Sequence, residues 1–130
     1  QNKLDKFIDL MKKKTLCFDL DNTICNTKKN NYTKSKPKED VIKLINSLYD
    51  EGYFIKILTA RYMGRTNDDF LKANRLGFKK TNSQLKSWGL KFHKLFISKP
   101  SFDVYVDDKN FEFKRGWVSK FKKKFLKLKK

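Results

Sequence analysis

The strongest constraint on the fold is a set of four short apolar runs, each too short for a buried helix and three of them ending in residues suited to chemistry. Thr15–Leu20 runs into Asp19 and Asp21, Tyr53–Leu58 into Thr59-Ala60-Arg61, and Phe102–Val106 into Asp107-Asp108; Lys94–Ile97 is the fourth. Short apolar runs bounded by polar residues read as strands buried in a sheet. Between them lie stretches of helical character. Pro37 with Glu39 and Asp40 opens a helix carried by Val41, Leu44, Ile45 and Leu48 and stopped at Gly52. A second is expected within Asn67–Leu76, closing at Gly77, and a third around Ser83–Trp88, closing at Gly89. Strand, helix, strand, helix, strand, strand is the order of an α/β fold with a mainly parallel sheet flanked by helices.

The flanks read differently. Residues 1–13 have Leu4, Phe7, Ile8 and Met11 at helical spacing and are expected to form a leader or linker helix ahead of the domain. Thr23–Lys36 is polar and reads as a loop. Residues 114–130 form a basic tail, in which seven lysines from Lys120 onward alternate with Trp117, Phe121, Phe125, Leu126 and Leu128.

At 130 residues and 15.6 kDa the chain has room for one core, and 12 Phe, 5 Tyr and 2 Trp supply the bulk to fill it. No apolar run approaches the roughly 20 residues of a membrane span, and no secretory signal core is present, so a cytoplasmic protein is expected. Two cysteines, Cys17 and Cys25, and the single His93 supply neither a disulfide framework nor a four-ligand zinc site. The net charge of +18 suits polyanionic partners, nucleic acid or an anionic membrane surface. All but four of the 32 basic residues are Lys, many beside Asn, so compositional drift explains the charge equally well.

Ligands of open α/β sheets bind beyond the carboxyl ends of the strands. Parallel pairing would bring Asp19, Asp21, Thr59, Asp107 and Asp108 to one such end. Four carboxylates gathered there would repel one another unless a cation sat among them, and hard oxygen donors favour Mg²⁺.

Asp19-Leu-Asp21-Asn-Thr23 behind its strand resembles the first motif of the haloacid dehalogenase-like phosphohydrolases. Ile57-Leu-Thr59 is similar to the second motif, Lys99 in Ile97-Ser-Lys-Pro100 to the third, and Val104-Tyr-Val-Asp-Asp108 to the acidic fourth. Asp19–Cys25, Lys36-Pro37, Leu58-Thr-Ala-Arg61, Lys99-Pro100 and Val106-Asp-Asp108 narrow the likeness to the small phosphatases encoded with capsular-polysaccharide genes, over residues 14–113. Polynucleotide 3′-phosphatase domains share the outline more loosely.

The resemblance implies a Rossmann-like core without a cap domain and a Mg²⁺-dependent phosphomonoester hydrolase acting on a small phosphorylated metabolite, a sugar phosphate of surface-polysaccharide synthesis. Asp19 would attack phosphorus to give an aspartyl-phosphate, and Asp21 would act as acid and base. Asp19, the Asp21 carbonyl and Asp107, with Asp108 beside them, would hold the metal; Thr59, Ala60, Arg61 and Lys99 would bind the phosphoryl group. Arg61 and Arg65 suit either an anionic substrate or a surface ion pair. Asn22 and Thr23 are expected to brace the loop. A polynucleotide 3′-phosphatase, or a non-catalytic basic module binding nucleic acid or membrane through the tail, are the competing functions. With no cap, a neighbouring subunit is one means of closing the site.

Overall fold

The computed structural model describes residues 2–4 and 14–126; the expected leader helix falls almost wholly outside them. Residues 14–126 form five strands and three α-helices in order: β1 (Thr15–Asp19), β2 (Cys25–Asn26), β3 (Lys36–Pro37), α1 (Glu39–Asp50), β4 (Phe54–Thr59), α2 (Phe70–Ser87), β5 (Lys94–Ile97) and α3 (Trp117–Phe125). β1, β4 and β5 form a parallel sheet with β4 in the centre, and β2 pairs antiparallel with β3 in a separate two-stranded ribbon. The expected α/β architecture with a mainly parallel sheet is what the chain adopts.

The register explains which side is covered. Phe18 lies opposite Ile57, and Ile57 opposite Leu95, so these side chains share one face and are buried together. Because the strand order advances in one direction, right-handed crossovers put α1 and α2 on that same face. Val41, Leu44, Ile45 and Leu48 of α1 fill the core there, as their spacing predicts. Glu39 and Asp40 sit in the first turn of α1, where the exposed N–H groups and the helix dipole favour negative charge. Asp19 lies opposite Leu58 on the other face, the less covered one.

The structure corrects four expectations. The two helices of residues 67–88 are one continuous α2, because Gly77 is not a stop: a Cβ there would lie 2.0 Å from the Tyr62 ring, so the glycine is a slot for that ring. Gly89, at φ +75°, does end the helix. The loop of residues 23–36 contains the β2–β3 ribbon, and Pro37 closes that ribbon instead of opening α1.

Residues 102–106 form no strand. Alternation along a strand would send Phe102 and Tyr105 to opposite faces, yet their rings stack at 5.0 Å and both lie over the Lys99 ammonium, an arrangement that needs a turning backbone. Finally, the tail is no appendage up to residue 126. Phe121 of α3 is buried against Phe18 and Phe111, and Trp117, Val118, Phe125 and Leu126 pack on the main core. Tyr53 fastens its end by donating its phenol proton to the Phe125 carbonyl at 2.6 Å. Lys120, Lys122, Lys123 and Lys124 remain on the solvent side, and residues 127–130 lie outside the described range.

Candidate active site at the carboxyl end of the sheet

Parallel pairing brings three of the expected residues together. Asp19 ends β1, Thr59 ends the adjoining β4, and Lys99 follows β5, its backbone N–H donating to the Thr59 carbonyl at 3.2 Å. The Lys99 ammonium reaches back to Asp19 Oδ1 at 3.4 Å, and the Thr23 hydroxyl donates to Asp19 Oδ2 at 3.0 Å. Thr23, expected to brace the loop, therefore holds the carboxylate itself. The Asp19 side chain is still 37% exposed and lies where two cavities of about 450 and 550 Å³ meet.

Thr59 is buried, and its hydroxyl oxygen accepts from the Arg61 backbone N–H at 3.1 Å, a bond that caps the turn after β4. No acceptor for its own proton occurs among the described residues, so the hydroxyl is available as a donor to whatever occupies the cavity that it lines with Ala60.

Asp21 and Arg61 form a second, internal pair. Arg61 is 2% exposed; its Nη2 lies 2.9 Å from Asp21 Oδ1 and its Nε 3.0 Å from Oδ2. Nη1 donates to Gln84 Oε1 at 2.7 Å, and Nη2 also donates to Ser35 Oγ at 3.2 Å, while the Tyr32 ring lies 4.8 Å from the guanidinium carbon. Thr27 donates its hydroxyl proton to Asp21 Oδ1 as well. Of the two readings open for Arg61, the geometry gives an ion pair, but a buried one in place of the expected surface pair: its charge is spent on Asp21, and its remaining donors tie β4 to the ribbon and to α2. Burial pushes the Cys25 thiol, packed in this shell, above its ordinary value; the buried thiol donates to the Leu20 carbonyl at 3.6 Å.

The four carboxylates do not gather. Asp21 is turned to Arg61, Asp108 is exposed on the loop after residue 106, and among the described residues no three Asp, Glu, His or Cys side chains come within reach of one cation. The absence of a strand at residues 102–106 explains this, since strand pairing is what would have carried Asp107 and Asp108 to the sheet end. Asp107 nevertheless lines the larger cavity with Asp19 and Lys99. The Tyr105 phenol donates to it at 3.4 Å, and the Asp107 charge pushes that phenol above its usual value.

Sequence reasoning missed Thr27, Ser35 and Gln84 around Arg61, and Tyr62 with its Gly77 slot; no local pattern distinguishes them, because their partners are distant in the chain. His93, just ahead of β5, is held to β4 through its backbone and its ring. Its N–H donates to the Ile55 carbonyl at 2.9 Å, its Nδ1 accepts from the Ile55 N–H, and its ring stacks on Tyr49 and Phe54.

Fold and site together define an α/β protein with a polar cleft at the carboxyl end of a parallel sheet, built around an open carboxylate held by a lysine and a threonine. No family model matches the sequence, and no curated protein matches it closely enough to count as a relative. Among solved structures, the chain is similar to a structural target protein from Vibrio cholerae, with a TM-score of 0.71 and 22% identity over 86% of this chain and 98% of that one. At that identity the likeness is one of fold.

Proposed function

We propose that this chain is a haloacid dehalogenase-like phosphomonoester hydrolase that uses Asp19 as its nucleophile. The observation that carries the reading is the setting of Asp19: a solvent-reachable carboxylate at the end of β1, fixed by Lys99 on one oxygen and Thr23 on the other. A phosphomonoester is a dianion, so an anionic nucleophile needs positive charge and hydrogen-bond donors beside it before it can approach phosphorus. Lys99 would supply the charge, and the Thr59 hydroxyl and the turn at Ala60 the donors to the phosphoryl oxygens. An Asp19 oxygen would attack phosphorus while the ester oxygen departs, and water would then cleave the aspartyl-phosphate.

Asp21 is two residues on and would carry the proton. Its Oδ1 is occupied by Arg61, Thr27 and the Cys25 thiol, whereas among the described residues Oδ2 accepts only from Arg61 Nε, so Oδ2 is the atom to serve the leaving alcohol and then the attacking water. Arg61 acts here as a positioning residue.

Mg²⁺ binds through one or two carboxylates and the substrate phosphate while keeping several waters, so it does not need a third acidic side chain. Asp19 and Asp107, which line one cavity, fit that donor set with the Asp21 carbonyl nearby in sequence. Bound there, the ion would neutralise charge on the phosphoryl group.

Among the described residues no folded unit stands over Asp19 beyond the β2–β3 ribbon and its loop, and no described helix is long and apolar enough to cross a membrane. The reading is of a capless, cytoplasmic enzyme acting on a small phosphorylated metabolite, with a sugar phosphate of surface-polysaccharide synthesis, implied by the motif resemblance, as the favoured substrate. The exposed lysines of α3 favour a polynucleotide 3′-phosphatase as the second reading. A phosphate-release screen over sugar phosphates, nucleotides and 3′-phosphorylated oligonucleotides, with and without Mg²⁺, separates the two. Release from none of them in Mg²⁺ would reject both and leave a non-catalytic basic module.

A further inference from the structure

We propose that Arg65 recognises a second anionic group on the substrate, so that the cleft selects phosphomonoesters carrying a carboxylate or a further phosphate beside the reacting ester. The inference rests on the phosphatase reading above and narrows its substrate class.

The charges of the 450 Å³ cavity largely cancel within the protein. Asp19 is paired with Lys99 and Asp21 with Arg61, which leaves Lys29 and Arg65 as lining cations with no carboxylate at ion-pair distance among the described residues. Lys29 is an exposed lysine with no side-chain hydrogen bond, ion pair or ring contact among the described residues to hold it. Arg65 is held: its guanidinium carbon lies 4.8 Å from the Tyr62 ring centre and 5.6 Å from that of Tyr32, and the two rings pack at 5.0 Å. Contact with the two rings holds the exposed group in place without hydrogen bonds, and the Arg65 side chain makes none among the described residues, so its N–H donors are unspent.

The scaffold for this placement is itself specialised. Tyr62 adopts φ +68°, a region that a bulky residue rarely enters, and its ring fits where Gly77 has no Cβ. The turn Gly64–Thr66 that carries Arg65 is closed by the Thr66 hydroxyl donating to the Tyr62 carbonyl at 2.7 Å. A planar, oriented guanidinium with a free donor edge matches a carboxylate or phosphate bidentately. On the reading above the transferring phosphoryl group already has its partners in Lys99 and Thr59, which leaves Arg65 for a second anion in the same cavity.

The test compares glucose 6-phosphate with 6-phosphogluconate, which adds a carboxylate, and fructose 1,6-bisphosphate, which adds a phosphate. Binding is measured by calorimetry on Asp19→Asn protein and kcat/KM on the intact chain. With Arg65 present, at least one doubly anionic probe should bind about tenfold or more tighter than glucose 6-phosphate. Which one does so identifies the second group. Arg65→Gln should bring that ratio near one and Arg65→Lys should restore it only in part. Arg75→Gln, which removes an equal charge from an exposed position of α2, should leave the ratio in place.

A ratio near one with Arg65 present, a preference that survives Arg65→Gln, or no binding of any probe would overturn the proposal. An Arg65-dependent preference without hydrolysis of these probes or of any substrate in the phosphate-release screen would retain it and reject the phosphatase reading. Hydrolysis with no such preference would do the reverse.

Discussion

Gly77→Ala should destabilise this protein, although alanine normally strengthens a helix interior by about 1 kcal/mol over glycine. The added Cβ would lie 2.0 Å from Tyr62 Cε2 and 2.1 Å from Cδ2, against the roughly 3.5 to 4.0 Å of ordinary carbon contact. The ring would have to recede by well over an ångström, and it has little freedom to do so. It is 8% exposed, packed against Tyr32, and beneath the Arg65 guanidinium.

Overpacking of this kind costs about 1 to 3 kcal/mol. Loosening the aromatic pair and the cation contact adds roughly another 1 kcal/mol. Less the helical gain, the variant should be about 1 to 3 kcal/mol less stable, a fall in Tm of roughly 3 to 10 °C at this chain length. Urea melts of wild type, Gly77→Ala, Tyr62→Ala and the double variant close a cycle. In the Tyr62→Ala background the same substitution should stabilise by about 1 kcal/mol, a coupling of roughly 2 to 4 kcal/mol. Gly77→Ala more stable than wild type in the intact background would refute the slot.

Arg61→Met should cost about 3 to 5 kcal/mol in denaturant melts and depress kcat more than it raises KM, because Asp21 loses the partner that orients it; wild-type kcat would remove Asp21 positioning from the account. Deleting residues 120–130 should lower stability by more than about 3 kcal/mol in the same assay, since it removes Phe121 and Phe125 from the core; a truncate that melts with wild type would restore the reading of a detached tail. Thr81 Oγ1 is buried without a partner among the described residues, so Thr81→Val should be neutral or stabilising by about 1 kcal/mol, whereas a clear loss in the melt would reveal a bond that this hydroxyl makes.

What the sequence made legible follows the range over which each signal acts. Strand runs and the i, i+4 pattern of α1 are local, and they placed β1, β4, β5 and α1 to within a residue or two. The alignment of Asp19, Thr59 and Lys99 was also legible, because parallel pairing brings strand ends together whatever lies between. Gly77 misled because a glycine that ends a helix and one that admits a ring look the same in one dimension. Residues 102–106 misled because a period-2 apolar pattern competes with the i, i+3 stacking of Phe102 and Tyr105 on Lys99, a contact whose third member comes before the run. Thr23 and Arg61 exchanged roles for a similar reason. The hydroxyl expected to brace the loop bonds the carboxylate, and the arginine with a substrate role open to it is buried against Asp21, Ser35 and Gln84.

The central claim is that Asp19 attacks phosphorus, and the most direct measurement is a rapid acid quench of the enzyme turning over an aryl phosphate in Mg²⁺, followed by peptide mass spectrometry. The account predicts a phosphoryl adduct on the peptide containing Asp19, more abundant in Asp21→Asn, where the water that should cleave it loses its base, and absent in Asp19→Asn or excess chelator. Turnover that persists in Asp19→Asn, or proceeds in the wild type with no adduct in either background, would contradict it.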